Sequence, residues 1–169
     1  MNKIETLGDF VESAMDRYAD KVAFQCAGHR LTFTELERLS RHVAVWLQAR
    51  FNSGDRIAIQ LPNINQYPII AMGILRAGMV VVNTNPLYTP REMKHQFKDS
   101  GAKALFILSP LLGALSQILD DTLLSDVVAV DPVDLIKEPE PQKDCYRLYD
   151  VLKSTPSGLL ATRTGQTGN

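Results

Sequence analysis

The chain has 169 residues, 45% of them hydrophobic, with 18 basic and 19 acidic side chains and a net charge of −1. That length supports one substantial hydrophobic core. The even charge balance leaves no electrostatic footprint for nucleic acid or for an anionic membrane. Two cysteines, Cys26 and Cys145, stand too far apart for a disulfide framework or a zinc motif, and a reducing compartment suits them.

The first ten residues carry acids and lack an apolar run, so they do not read as a signal peptide. Residues 9–18 place Phe10, Val11, Ala14, Met15 and Tyr18 on one helical face. Val22–Cys26 and residues 30–33 read as two short strands joined through Ala27-Gly28-His29, a hairpin. Thr34-Glu35-Leu36-Glu37 has the spacing of a capping box, and the helix it opens runs to about Ala49. Leu36, Leu39, Val43, Trp46 and Leu47 form its apolar stripe. Asn52-Ser53-Gly54-Asp55 breaks that helix.

Residues 56–61 alternate as a strand, with Ile57, Ile59 and Leu61 on one side. Residues 65–77 form the next helix, and Pro68 fits because it falls in the first turn. Gly78 stops that helix. Residues 79–82 are an unbroken apolar strand, the pattern of a sheet covered on both faces. A turn over 83–88 follows. Thr89-Pro90-Arg91-Glu92 is a second capping box, with proline where a missing N–H costs nothing. The helix over 91–100 ends at Gly101. A strand over 103–108, a helix over 110–120 capped by Ser109, and a strand over Asp126–Val130 complete the series.

From Arg56 onward strands and helices alternate across short connections, which specifies an α/β fold. It is a parallel-rich sheet of βαβ units flanked by helices, with right-handed crossovers. Residues 131–144 are rich in proline and charge and read as a loop, and 146–153 as a short helix. The expected organisation is one α/β domain over 1–153 and a polar, Gly/Thr-rich flexible tail over 154–169.

Catalytic motifs are scarce. There is no G-x-G-x-x-G at a strand–helix turn, no G-x-x-x-x-G-K-[ST] and no G-x-S-x-G. His29, His42 and His95 stand apart and read as surface or satisfied histidines. Glu35, Glu37 and Arg41 fit caps and i,i+4 pairing. Glu92 belongs to its capping box. Asp120-Asp121 close a helix, and Arg76 in a last helical turn complements the macrodipole. Asn83, Asn85 and Tyr88 are the best polar candidates for a ligand. They follow a buried strand, where open α/β sheets place ligands, although turn chemistry is the default account of them. In the tail, Thr164, Gly165, Thr167 and Gly168 are small and hydroxyl residues that could wrap a phosphate through backbone N–H and side-chain OH groups.

The run ILRAGMVVVNTNPLYTPREMKHQFKDSGAKALFIL resembles the second core region of the AMP-forming acyl-CoA synthetases, with the bacterial long-chain fatty-acid–CoA ligases nearest in the adenylate-forming superfamily. LTFTELE resembles their first core region. Gly54–Ala58, Leu61-Pro62-Asn63 and Gln66-Tyr67-Pro68 match the stretch between, so the likeness covers about residues 7–130.

The resemblance implies part of the larger N-terminal domain of an adenylate-forming enzyme. In the parent reaction a fatty-acid carboxylate oxygen attacks the α-phosphorus of ATP, releasing pyrophosphate, and the CoA thiol then displaces AMP from the acyl-adenylate. ATP, Mg²⁺ and CoA are the parent's cofactors, and none is expected to bind tightly to these 169 residues. The family's Tyr-Gly-x-Thr-Glu segment, ribose-binding Asp and C-terminal lysine find no counterpart here. Residues 156–168, PSGLLATRTGQTG, are either a degenerate or truncated copy of the family's phosphate loop or a coincidence. They lack its aromatic residue and stop before its lysine.

The expected function is therefore part of a long-chain fatty-acid–CoA ligase, inactive as this piece alone. The alternatives are another AMP-forming ligase, acting on aryl or short-chain acids, or a non-catalytic binding domain. Expected partners are the remainder of the ligase, or a second copy through exposed apolar surface, with no nucleic acid. The expected location is the cytoplasm, with peripheral contact to the inner membrane compatible with the sequence.

Overall fold

A computed structural model describes residues 7–138 and 144–154. In chain order the elements are α1 (Leu7–Arg17), β1 (Val22–Cys26), β2 (His29–Thr32), α2 (Phe33–Gln48), β3 (Arg56–Gln60), α3 (Gln66–Arg76), β4 (Val80–Asn83), α4 (Pro90–Ser100) and β5 (Ala104–Leu108). A 3₁₀ turn (Ser109–Leu111), α5 (Leu112–Leu115) and a second 3₁₀ turn (Leu119–Asp121) lead to β6 (Asp126–Val130), β7 (Tyr146–Arg147) and α6 (Leu148–Lys153).

β1 and β2 form the expected antiparallel hairpin. Its two-residue turn puts Ala27 at φ 47° and Gly28 at φ 80°, the left-handed pair that matches the twist of the flanking strands. The remaining strands form one five-stranded sheet in the order β4-β3-β5-β6-β7, parallel at every pairing. This is the α/β architecture that the alternation from Arg56 specifies.

Period-two alternation sorts the strand residues between two cores. Ile57, Ile59, Phe106, Val128 and Val130 face α2, α3 and α6, where Val43, Leu47, Ile70, Ile74 and Val151 pack against them. Ala58, Leu105, Ile107 and Val127 face the other way, against Met93 and Phe97 of α4 and the buried Leu115 and Ile118. α2 and α3 cross so closely that a Cβ on Gly73 would lie 2.5 Å from both Val43 Cβ and Val43 Cγ1.

Several expectations need correction. The capping box of α2 is built on Thr32, not Thr34: Thr32 Oγ1 accepts from the Glu35 N–H, and Glu35 Oε2 accepts from the Thr32 N–H at 2.9 Å. The sequence holds two overlapping frames two residues apart. Hairpin register decides between them, because Thr34 is used to donate its hydroxyl to Ala19 O. Glu37, freed from capping, pairs with Arg41 and Arg76. The second capping box, Thr89 with Glu92, forms as expected, and Gly101 closes α4.

The apolar strand over 79–82 lies at the sheet edge rather than inside it: Met79 and Val81 pack on one core and Val82 on the other, but Val81 and Val82 are only half-buried and Val80 is 46% exposed. The single helix expected over 110–120 is broken into a 3₁₀ turn, one turn of α-helix and a second 3₁₀ turn. Ser109 does not cap it; its hydroxyl donates to Val130 O and ties the C-terminal ends of β5 and β6 together. Residues 146–153 are not all helix, because Tyr146 and Arg147 first pair with β6.

Candidate functional site

All strands of the parallel sheet end on one edge. β3 connects outward to β4, whereas β5 connects the opposite way to β6, so the chain changes direction between β3 and β5. Such a switch point at the carboxyl ends is where open α/β sheets bind ligands. Gln60, the last residue of β3, stands beside it and is fully buried. Its Nε2 donates to Asn85 O at 3.1 Å, while Oε1 has no partner among the described residues. Thr84 follows β4 on the adjacent strand. Its N–H donates to Ile59 O at 2.9 Å, and its buried Oγ1 is also unpartnered.

The sequence places Asn83, Asn85 and Tyr88 at this edge, and the structure brings them together in one turn. Several of their polar atoms hold the turn itself. Asn83 Oδ1 accepts from the Tyr67 hydroxyl, and Asn83 O accepts from Gln96 Nε2 at 2.8 Å. Asn85 Oδ1 accepts from the Leu87 N–H at 2.9 Å, an Asx turn. Tyr88 donates its N–H to Asn85 O, and its ring packs half-buried on the α4 core. Gln60 is the functional candidate the sequence reading misses. Its signal is an amide closing an otherwise apolar strand, on the face that carries Ala58.

The other candidates disperse. His29 meets Asn65, whose Nδ2 donates to His29 O at 3.0 Å; His42 Nδ1 lies 2.7 Å from Ser154 O; His95 is exposed on α4. Arg76 is more than a helix-end charge. Its side chain is 7% exposed and lies 3.4 Å from Glu37 and 3.6 Å from Glu12, joining α1, α2 and α3. Asp121 pairs with Lys94, whose ammonium holds that carboxyl below its usual range. Backbone and hydroxyl donation from Thr32 and Thr89 likewise lowers Glu35 and Glu92. Asp134, in the loop after β6, is buried, and burial pushes its carboxyl up to about 7. Its Oδ2 accepts from the Asp131 N–H at 2.7 Å, and Oδ1 is unpartnered.

Thr164, Gly165, Thr167 and Gly168 lie outside the described residues. Among the described residues no group of three or more His, Cys, Asp or Glu could hold a metal. The turns flanking the switch point carry Pro62 and Pro110, which have no N–H to offer a phosphate. With prolines in both flanking turns and no metal-holding group among the described residues, this part of the edge does not fit a metal-bound triphosphate by itself. A nearby cavity of about 90 Å³ between the hairpin, the start of α3 and the 131–136 loop is mostly apolar. It is far below the ~300–1,000 Å³ of ordinary ligand pockets. No helix among the described residues is long and apolar enough to cross a membrane.

The chain matches the family model of the AMP-binding enzymes over residues 11–164. It is 46% identical over 129 residues to the long-chain-fatty-acid–CoA ligase of Escherichia coli O6:H1, covering 75% of this chain and 23% of that protein. The ligase of Salmonella typhimurium is 45% identical over the same shares. The fold superposes on a benzoate CoA ligase from Burkholderia xenovorans LB400 with a TM-score of 0.80 at 20% identity, covering 96% of this chain and 31% of that one. The chain thus spans about a quarter of the length of the curated relatives it matches. A parallel sheet with its direction change between β3 and β5, the Thr89–Glu92 signature turn and a family match across most of the sequence lead to one conclusion: this chain belongs to the AMP-binding enzyme family.

Proposed function

We propose that these 169 residues are scaffold of a long-chain fatty-acid–CoA ligase, an enzyme that joins a fatty acid to CoA with cleavage of ATP to AMP and pyrophosphate. The supporting observation is the 46% identity to the E. coli ligase over 129 residues. At the described edge the residues of this chain bind and orient backbone: Gln60, Tyr67 and Gln96 fix the turn over 83–88 from three elements. ATP, Mg²⁺ and CoA would be held by residues beyond those described, with Thr164, Gly165, Thr167 and Gly168 the candidates for phosphate contact.

The half-exposed β4 edge, with Leu87 86% exposed beside it, is the surface expected to meet the rest of the ligase or, in its absence, a second copy. The cytoplasm is the location that suits such an enzyme.

Two measurements test the proposal. The 169-residue chain incubated with ATP, Mg²⁺ and oleate is expected to release no pyrophosphate above background. A chimera carrying the aligned 129 residues of this chain in the E. coli ligase is expected to form oleoyl-CoA. Turnover by the chain alone would overturn its reading as scaffold. A folded but inactive chimera would count against the fatty-acid branch.

A further inference from the structure

A second cavity, of about 170 Å³, opens between α2, α6 and the loop after β6, and adjoins the apolar one through His29, Leu135 and Ile136. Arg38 of α2, Lys137 and Asp134 of the loop after β6, Tyr149 and Lys153 of α6, and His29 of β2 line it. The three cations come from three separate elements and converge on one space. Neither Arg38 nor Lys137 has an ion-pair partner among the described residues. Lys153 rests only on the Tyr149 ring, 5.6 Å from its centroid.

The acids in the wall offset them only in part. Glu35 also lines the cavity and keeps its negative charge, held by the N–H and hydroxyl of Thr32 at 2.9 Å and facing the charge of Arg38. Asp134 takes the Asp131 N–H on Oδ2 and forms no ion pair with any of the three cations. Its burial leaves it carrying less than a full negative charge at neutral pH. The cavity is thus net positive.

We propose that this cavity is a phosphate site, taking inorganic phosphate or the terminal phosphate of a monoester. Its volume is below the ~300–1,000 Å³ of pockets that enclose a whole small molecule, so only an ion or an end group enters. A tetrahedral dianion can meet donors arriving from three directions, as Arg38, Lys137 and Lys153 do, whereas a planar carboxylate engages fewer. Charge-assisted N–H bonds from such donors are the strong ones, and the arginine fork suits two phosphate oxygens at once. This site is separate from the sheet edge and does not rest on the ligase reading.

The experiment titrates inorganic phosphate into the 169-residue chain at pH 7.5 and constant ionic strength, followed by ³¹P NMR, with acetate as a second probe. Saturable phosphate binding is expected, with acetate weaker. Arg38→Gln combined with Lys137→Gln should weaken it at least tenfold. Arg91→Gln, on α4 across the sheet, should leave it unchanged. Both cavity cations are exposed, so the double variant should keep its far-UV circular dichroism. If it does not, Lys153→Gln alone should weaken binding several-fold. A monoester that binds as tightly as phosphate assigns the site to an end group, and preference for the free ion assigns it to phosphate itself. Non-saturable shifts, or equal binding in the folded cavity variants, overturn the proposal.

Discussion

Gly73→Ala tests the close crossing that organises the larger core. The added Cβ would stand 2.5 Å from Val43 Cβ and Cγ1 and 3.0 Å from Ser40 O. Carbon atoms in contact prefer about 3.5–4.0 Å, so α2 and α3 must part by roughly 1 Å. Neither neighbour can yield easily. Val43 is β-branched, stiff at χ1 and fully buried, and Ser40 O is helix backbone. Overpacking of this kind costs about 1–3 kcal/mol. Replacing glycine inside a helix returns about 0.5–1 kcal/mol.

The net expectation is a loss of about 1–2 kcal/mol. That corresponds to a fall in Tm of about 2–8 °C for a chain of this size. Urea unfolding followed by circular dichroism measures it. Val43→Ala removes Cγ1 but keeps the equally close Cβ, so the double variant should lose somewhat less than the sum of the single losses, with a coupling of about 0.5–1 kcal/mol. A Gly73→Ala variant as stable as wild type, or additive with Val43→Ala, would refute the packing argument.

Asp134→Asn should flatten the pH dependence of stability between about pH 4 and 7. The folded carboxyl lies near 7 against an ordinary 3.8, so the protonated form is favoured by folding. Its contribution is complete below pH 3.8 and is lost as pH rises through 7. The full shift bounds this at about 4 kcal/mol, and solvent reaching the adjacent polar cavity reduces the expected effect to about 1–2 kcal/mol. Parallel stability curves for the two proteins would contradict it. Thr32→Ala should cost about 1 kcal/mol and Thr34→Ala less than half as much, read from urea midpoints. The reverse order would return the cap to Thr34. Arg76→Met should cost less than about 1 kcal/mol, because Glu37 and Glu12 keep contact with water when the cation is removed. A loss of several kcal/mol would show that the ion cluster itself holds α1 in place.

The order of elements from Arg56 to Val130 was legible because each rests on local signals. Alternation in residues 56–60, a glycine stop at 78, a cap at Thr89–Glu92 and a four-residue buried run at 104–107 each specify their element without knowledge of the rest. The turn over 83–88 was placed at the correct edge for the same reason. Family membership was legible too, because the signature residues are these same scaffold residues.

Most of the misreadings share one cause, which is pairing between segments distant in sequence. Two Thr-x-x-Glu frames are locally equivalent, and hairpin register selects Thr32. Val80–Asn83 reads like a central strand, yet the β4-β3-β5 order places it outermost. Tyr146 and Arg147 become a strand only because β6 offers its free edge. The burial of Asp134, the unpartnered Gln60 Oε1 and the convergence of Arg38, Lys137 and Lys153 arise where separate elements meet. Sequence by itself determined the elements, their order and the family. Tertiary structure alone decided which strand is the edge, which hydroxyl is the cap and which charges share a cavity, because those outcomes depend on register and packing that no local window contains.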